Sequence, residues 1–486
     1  MANNDKPDTQ HAAYAPLQAM REIVADVRGG THALRSKTVA YLPKYPGELQ
    51  NEYTARLNAS TAFNMYSKTE AVITGMVFAG EIDTSGVATQ IVPLLENIDN
   101  QGNDFTVFAR EVFSKSMDGA CVILADSPTA AANDLGEQQA LGIRPYLIAY
   151  DAASAINWAY RVNPVSKQVE LSLLVLCEVT SEPKGRFEYE TVTRYRVLWL
   201  ENNQAKWELW RKVETTKKEA EWILDAAGVF AGFTELPVAI VGCLTDAPRL
   251  MDIADVNIKH YQKESSFDVI EYLSIPTFCT KGYESEEPVS LGASAHVKLP
   301  LEGDAFYCQI DAAGHDSLKG SLKDLQEQIR LLGSSVLADK TKQTQLTATE
   351  VSIDNVGETA EIRVWAEQLE DALERALGHL AMYLGLGKDK GGEIALSPSW
   401  ANEATTTQDL TVLSGLVDAG QMSLESFVYH LEASGQLPPN VTAEQELERI
   451  TAEEKEAAKI QPVLMAKAMP NQLNANQQTA NATGTP

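Results

Sequence analysis

The residues with the clearest potential for chemistry are the glycines and lysines of LGLGKDKGG, residues 384–392. A phosphate-binding loop of the form G-x-x-x-x-G-K-[ST] needs a first glycine for its tight turn and a hydroxyl residue for a magnesium ion. Here Met382 stands at the first glycine position, and Asp389 replaces the hydroxyl residue. We therefore expect a helix end followed by a loop, since glycine is the commonest residue just past a helix.

Other catalytic and metal-binding patterns are missing from the sequence. The seven histidines never take a ligand spacing such as H-E-x-x-H, and no G-x-S-x-G nucleophile elbow occurs. Carboxylates are so numerous that a pair such as Asp252 and Asp255 is expected to be ordinary surface acid. The sequence therefore predicts a protein that is not an enzyme and that has no metal site and no cofactor.

Two lysines lie in a polar loop, DKTKQTQL, residues 339–346. This loop has almost no apolar side chain to bury, so it is expected to project into solvent or into a water-filled space. The loop is a candidate functional segment because it lies between two predicted helices that both need packing partners. An ordinary solvated turn is the alternative interpretation.

The helices on either side of this loop are read from their apolar spacing. Before the loop, apolar residues recur at alternating steps of four and three, which predicts a narrow stripe that packs against another helix. The stripe consists of Leu318, Leu322, Leu325, Ile329, Leu332 and Val336. After the loop, Thr347 and Glu350 form a capping box that begins a second helix. No proline interrupts that helix before Leu384, so it would be roughly 57 Å long, with an expected kink at Gly357.

Composition and charge bound the possible functions. Of 486 residues, 44% are apolar, which suffices for a large core, and no stretch approaches the roughly 18 apolar residues of a membrane span. The net charge is −27, from 67 acidic and 40 basic residues. Tight binding of duplex DNA requires many exposed lysines and arginines, so this balance argues against stable DNA binding. It is compatible with DNA that slides past, and equally with charge that only keeps the protein soluble.

In the middle of the chain, the sequence pattern changes from helical to strand-like. Between residues 143 and 243, strand-like runs alternate with turns such as Asn202-Asn203, which predicts an antiparallel meander. A helix follows from about Pro248 to Ser274. Residues 275–316 then hold three short strand-like pieces, a small β excursion between two helices. Its polar tip is acidic and consists of Lys281, Tyr283, Glu284, Glu286 and Glu287.

The cysteines predict no disulfide framework. They are odd in number, have no C-x-x-C spacing, and mostly lie in apolar strand-like runs. We therefore expect buried, reduced thiols. They are Cys121, Cys177, Cys243, Cys279 and Cys308.

The order of these parts resembles that of the portal proteins of tailed bacteriophages. The resemblance runs from about residue 38 to 455 and consists of diffuse patterns without a catalytic signature. The strings that carry it are YLPKYPGELQNEYTARLNAS with GMVFAG, YDAASAINW, LMDIADVNIKHYQKESSFDVIEYLSIPTF, and TATEVSIDNVGETAEIRVWAEQLEDALERALGHLAMYLG. The C-terminal region is short for a large crown.

The resemblance implies an α+β portal fold, with a helical stem and crown, a β-rich wing and a small β-containing clip. The implied parts are an N-terminal extension 1–40, a wing 41–247, a stem helix 248–274, a clip 275–316, a second stem helix 317–338, a tunnel loop 339–346, a long kinked helix 347–387, a crown-like region 388–460 and a disordered tail 461–486.

The resemblance also implies a homo-oligomeric ring, usually a dodecamer, at one capsid vertex of the virion, assembled in the host cytoplasm. Double-stranded DNA would be packaged and ejected through the ring without sequence specificity, and no membrane is involved. The clip would meet the large terminase subunit and the head–tail connector, and the wing the major capsid or scaffolding protein. The tunnel loop would contact DNA through Lys340, Lys342, Gln343 and Gln345. The 318–336 stripe would pack between subunits, because a ring repeats one interface.

Two other classes of function remain open from the sequence. One is an acidic oligomeric scaffold or head-morphogenesis protein that does not contact DNA. The other is a carboxylate- or metal-dependent hydrolase, which would require clustered acids and histidines.

Overall fold

The computed structural model describes residues 6–128, 142–163, 167–214, 220–282, 299–308, 313–337 and 360–398, and short stretches between 413 and 452. The chain divides into two compact units, Met1–Ser397 and Pro398–Pro486. The first unit mixes helices with antiparallel sheets, which confirms the predicted α+β class. None of the described helices is long and apolar enough to cross a membrane.

Seven helices are described in full between the N-terminus and residue 337. Side-chain caps fix two starts, because the Asn64 oxygen accepts from Ser67 N at 3.1 Å and the Asp104 oxygen from Val107 N at 2.8 Å. The helices are α1 Tyr14–Arg28, α2 Gly30–Ser36, α3 Gln50–Ala59, α4 Met65–Val77, α5 Phe105–Ser116, α6 Met251–Leu273 and α7 Ala313–Leu337. After residue 337 come α8 Ala360–Tyr383 and, in the second unit, α9 Leu424–Ala433, with further helical stretches at 413–417 and 443–452.

Ten strands form three antiparallel sheets among the described residues. Their order is β2-β1-β8 in the first sheet, β3-β4-β5-β6-β7 in the second and β9-β10 in the third. The second sheet confirms the predicted meander, and Asn202 and Asn203 take the positive φ angles of its β5–β6 turn. The strands are β1 Ala120–Asp126, β2 Tyr146–Asp151, β3 Ala155–Val162, β4 Val169–Pro183, β5 Tyr189–Glu201, β6 Gln204–Glu214, β7 Ala220–Val229, β8 Val238–Gly242, β9 Thr277–Lys281 and β10 Asp304–Cys308.

The main core lies between the three-stranded sheet and one face of the meander. Strand β1 is apolar throughout its middle and fully buried there, because it is the central strand and helices α5 and α8 pack on its sheet. Trp158, Leu174 and Leu198 of the meander join the same core. Tyr383, the last residue of α8, packs against this core, and its hydroxyl lies 3.4 Å from the carbonyl oxygen of Ala125.

A half-buried ionic network joins the meander to the three-stranded sheet. Arg196 of β5 binds Glu178 of β4 at 2.6 Å and Asp126 of β1 at 3.0 Å. The Tyr150 hydroxyl of β2 donates to Glu178 at 2.6 Å. Burial raises the pKa of Asp126, and Arg196 opposes that effect. With their charges and hydrogen bonds mutually satisfied, these side chains fix how the two sheets meet.

The predicted burial of the cysteines is wrong for most of them. Cys121 is buried in β1, as expected, and Cys177 and Cys279 are half-buried. Cys243 and Cys308 are exposed. The reason is that an apolar strand-like run buries a thiol only when a second layer covers the strand. Cys243 follows the end of β8, and Cys308 lies in a ribbon of two strands that has no such cover.

The loop before α3 is held by one arginine. Arg56 forms two hydrogen bonds to the carboxylate of Glu48, at 2.7 and 2.8 Å, and a third to the carbonyl of Pro43. Its guanidinium lies 4.0 Å from the ring centre of Tyr45 and 5.5 Å from that of Tyr53. Both charged side chains are almost entirely buried. The pair therefore satisfies itself with ionic, hydrogen-bonding and cation–π contacts.

Glu48→Gln is expected to lower the free energy of unfolding by about 3 kcal/mol, because it leaves the Arg56 charge buried without its counter-charge. Urea denaturation measures this difference. The matched control is Glu96→Gln on an exposed side chain, which should change stability by less than about 0.5 kcal/mol. Equal stabilities of the Glu48 variant and the unmodified protein would contradict the assignment.

Candidate functional site

Helices α6 and α7 form an antiparallel pair. His260 of α6 lies 3.1 Å from Gln326 of α7, and Lys263, further along α6, contacts Ser321, which is earlier in α7. The end of α6 and the start of α7 therefore lie at the same end of the pair. Strand β9 follows the end of α6, and β10 precedes the start of α7. The two strands pair with each other as a ribbon. We call α6, α7, β9 and β10 together the stalk.

The first half of α6 is anchored in the helical body. The Asn257 side-chain oxygen accepts the backbone N–H of Met65 at 3.0 Å, at the start of α4. The Tyr261 hydroxyl hydrogen-bonds to Ser60 at 2.8 Å, and both side chains are buried. The last buried residue of α6 is Ser265. Beyond it, residues 266–270 are half-buried, and residues 271–273 are exposed at the end that leads to the ribbon.

The far end of the stalk exposes large apolar side chains. Tyr272 is 74% exposed and Tyr307 is 63% exposed, although the Tyr307 ring packs edge-on against Phe278 at 5.4 Å. The exposed apolar residues of this region are Tyr272, Leu273, Ile275, Leu301, Phe306 and Tyr307. Monomeric proteins seldom leave such a concentration of apolar surface in water, so it marks an interaction surface. We call these six residues the stalk tip.

The charged part of the predicted clip is only partly described. Lys281 lies at the end of β9, opposite Asp304 of β10 in the strand register, and both side chains are exposed. The other four predicted partner-binding residues, Tyr283, Glu284, Glu286 and Glu287, lie outside the described residues. Their role stays a prediction.

The apolar stripe of α7 is already covered at its centre within one chain. Leu322, Leu325 and Ile329 are buried, with exposures of 9% or less, where α7 packs against α6 and α4. Their expected packing against a neighbouring subunit is replaced here by α6 of the same chain, because α6 runs back along α7. Leu318 is half-buried and Leu332 is exposed, and a contact of these two between subunits stays a prediction. The side chain of Val336 lies outside the description.

Sequence reasoning missed Leu331, which is 64% exposed beside Leu332. Adjacent helix positions are rotated by about 100°, so a narrow stripe cannot bury both leucines. The adjacent leucines Leu331 and Leu332 therefore indicate, from the sequence, that apolar surface lies outside the stripe. Phe306 and Tyr307 carry the same signal in a strand, where neighbours point to opposite faces.

The predicted tunnel loop, with Lys340, Lys342, Gln343 and Gln345, lies outside the described residues, as does the start of the long helix with Gly357. From Ala360 the helix is present as α8. Ile362, Leu369 and Leu373 are fully buried where α8 packs on β8 and β1.

The lysine of the glycine-rich segment is engaged in an ion pair within the chain. Gly385, with φ of +73°, ends α8 as predicted, and Leu386 N donates to Ala381 O at 2.9 Å. Lys388 pairs with Glu235, which also lies 3.4 Å from the buried His379. The contact with His379 and the ion pair with Lys388 lower the pKa of Glu235 to about 2. Lys388 therefore anchors the loop and is not presented to a phosphate group.

Comparisons with known proteins give limited matches. A family model described as a domain of unknown function, DUF4055, matches residues 249–384, the part that begins with α6 and ends with α8. No curated protein matches the chain. Among solved structures, the chain is similar to one from the neck of an empty GTA particle computed with C6 symmetry. That match has 12% identity and a TM-score of 0.38, and covers 77% of this chain and 90% of the other.

The two environments on α7 predict effects of very different size for the same substitution. Leu325→Ala should lower the free energy of unfolding by about 3 kcal/mol, because Leu325 is buried and leaves a cavity. Leu331→Ala, six residues further along the same helix, should change it by less than about 0.5 kcal/mol. Urea denaturation of dissociated chains at low concentration measures both. Equal losses would show that α7 does not pack as described.

Proposed function

We propose that this chain is the portal subunit of a tailed bacteriophage. Its copies form a ring, as a dodecamer, at one capsid vertex of the virion, and assemble in the host cytoplasm. Double-stranded DNA is packaged and ejected through the channel of the ring. The large terminase subunit and later the head–tail connector dock on the clip, and the major capsid or scaffolding protein meets the wing. The subunit has no enzymatic activity of its own.

The observation that carries the proposal is the stalk with its apolar tip. Within one chain, α6 and α7 cover each other, yet Tyr272, Tyr307 and Leu331 remain in water. A closed ring places the same two surfaces against each other at every contact, so it buries such residues in all copies at once. The order of parts in the sequence, helix, β ribbon, helix, polar loop and long helix, supports the same assembly.

The charge of the chain suits passage of DNA better than its capture. With a net charge of −27 on each copy, the assembled ring is expected to repel the phosphate backbone. In the sequence, Lys340 and Lys342 fall between α7 and α8, in the predicted tunnel loop, and a few transient phosphate contacts there are proposed to position DNA without holding it. The ring is thereby proposed to guide DNA through its centre.

The wing offers a separate surface for the shell. The hairpin between β4 and β5 carries Phe187, which is 84% exposed, and the exposed Tyr189. These aromatic side chains lie on the meander and belong to none of the stalk elements. We assign the capsid-facing contact to this hairpin and the ring-closing contact to the stalk.

Ring formation is the first test. The purified full-length protein should give a species with the mass of a dodecamer by mass photometry and rings in negative-stain images. Tyr272→Ser combined with Tyr307→Ser should reduce the ring fraction at least tenfold without unfolding the chain, because both side chains are exposed. Phe187→Ser is the matched control and should leave rings intact. A protein that stays monomeric at all concentrations would overturn the proposal.

The loop lysines give a test of DNA contact. Lys340→Ala with Lys342→Ala should leave ring assembly unchanged and should alter the amount of DNA packaged or retained in particles. The readout is the DNA content of purified particles, compared with a Lys68→Ala variant at an exposed position of α4. Loss of rings in the double variant would instead show a structural role for the loop, and unchanged DNA content would favour an acidic scaffold without DNA contact.

A further inference from the structure

Two of the five cysteines lie together on the ribbon of the stalk. In the register of β9 and β10, Cys279 is opposite Phe306, and Thr277 is opposite Cys308. Since strand residues two apart share a face, Cys279 and Cys308 lie on the same face as diagonal neighbours. The other three cysteines are on different elements: Cys121 on β1, Cys177 on β4 and Cys243 after β8.

The two thiols are close enough to influence each other and are open to reagents. Hydrogen bonding with Cys279 raises the pKa of Cys308. The Cys279 thiol also lies 3.6 Å from the carbonyl oxygen of Thr277, to which it donates. Cys308 is exposed and Cys279 is half-buried. A small oxidant in solution therefore reaches the pair without any unfolding of the core.

We propose that Cys279 and Cys308 are a redox-active dithiol, which a low-molecular-weight disulfide oxidises to a disulfide across the ribbon. One thiolate attacks the small disulfide, forms a mixed disulfide and releases one small thiol. The second thiolate attacks the mixed disulfide, closes the Cys279–Cys308 bond and releases the other small thiol. The two protein thiols thus lose two electrons and two protons, and the small disulfide is reduced to two thiols.

The ribbon is a suitable place for a reversible bond. Diagonal neighbours begin about 7 Å apart, whereas a disulfide needs Cβ atoms about 4 Å apart, so the strands must shear slightly when the bond forms. The described strands of the ribbon have five residues each and no buried side chain, so little packing opposes this movement. A disulfide made under such strain is readily reduced again.

Formation of the disulfide is proposed to switch the ribbon from a less stable, unlinked form to a more stable, linked form. Two short strands alone are marginally stable in water. A covalent link between positions 279 and 308 holds β9 and β10 together. The inference stands on the ribbon alone. Under the proposed function, release of particles would also carry the ribbon from a reducing cytoplasm to an oxidising medium.

The test uses the full-length protein and oxidised glutathione. After incubation, remaining thiols are alkylated, the protein is digested without reduction, and the peptides are identified by mass spectrometry. We expect a linked peptide pair that contains Cys279 and Cys308 of the same chain, and its loss on mild reduction. Cys243→Ser, which removes an exposed thiol elsewhere, should leave the linked pair unchanged.

Separate glutathione adducts on Cys279 and Cys308 without a bond between them would overturn the proposal, as would a bond between chains. Mixing isotopically labelled and unlabelled chains distinguishes the bond within a chain from the bond between chains. A second measurement avoids oxidation: phenylarsine oxide, which bridges adjacent thiols, should bind one equivalent per chain, and either Cys279→Ser or Cys308→Ser should abolish it. The result does not depend on ring formation, so failure of the two proposals is distinguishable.

Discussion

The polar anchoring of the first half of α6 is the constraint on which the stalk depends. Asn257 satisfies a backbone N–H at the start of α4, and Tyr261 shares a hydrogen bond with Ser60 inside the body. Buried polar groups are costly to leave without partners, so α6 is held at this position and in this direction. After Ser265 the helix is only half-buried, and its last residues, 271–273, are exposed at the end that carries the ribbon.

In an assembly, two opposing free energies act between copies: the electrostatic repulsion of their net charges and the burial of apolar surface at the stalk tip. Each copy carries a net charge of −27, so copies repel one another at low ionic strength. The stalk tip offers the compensating term, because its aromatic and aliphatic side chains gain about 25 cal/mol for each Å² of apolar surface removed from water. Added salt should therefore favour association by screening the first term. The position of the meander does not depend on association, because Arg196 and its partners fix it within the chain.

Local patterns in the sequence predicted much of the fold. The apolar run of β1, the alternating strands of the meander and the glycine end of α8 each follow from residues close together in the chain. The partner of the α7 stripe could not be predicted in this way, because it depends on α6 folding back along α7. The link between Asp126 and Arg196 joins positions 70 residues apart, so neither spacing nor composition indicates it. Of the candidate site, the sequence located the ribbon and the stripe, whereas the exposure of the stalk tip and the thiol pair required the structure.

The most direct measurement is a cryo-electron microscopy map of the assembled full-length protein. The account predicts a closed ring in which neighbouring stalks contact each other through Tyr272 and Tyr307, with residues 339–346 directed toward the central channel. A map in which the stalks lie apart on the outer perimeter, with Lys340 and Lys342 facing bulk solvent outside the ring, would contradict it.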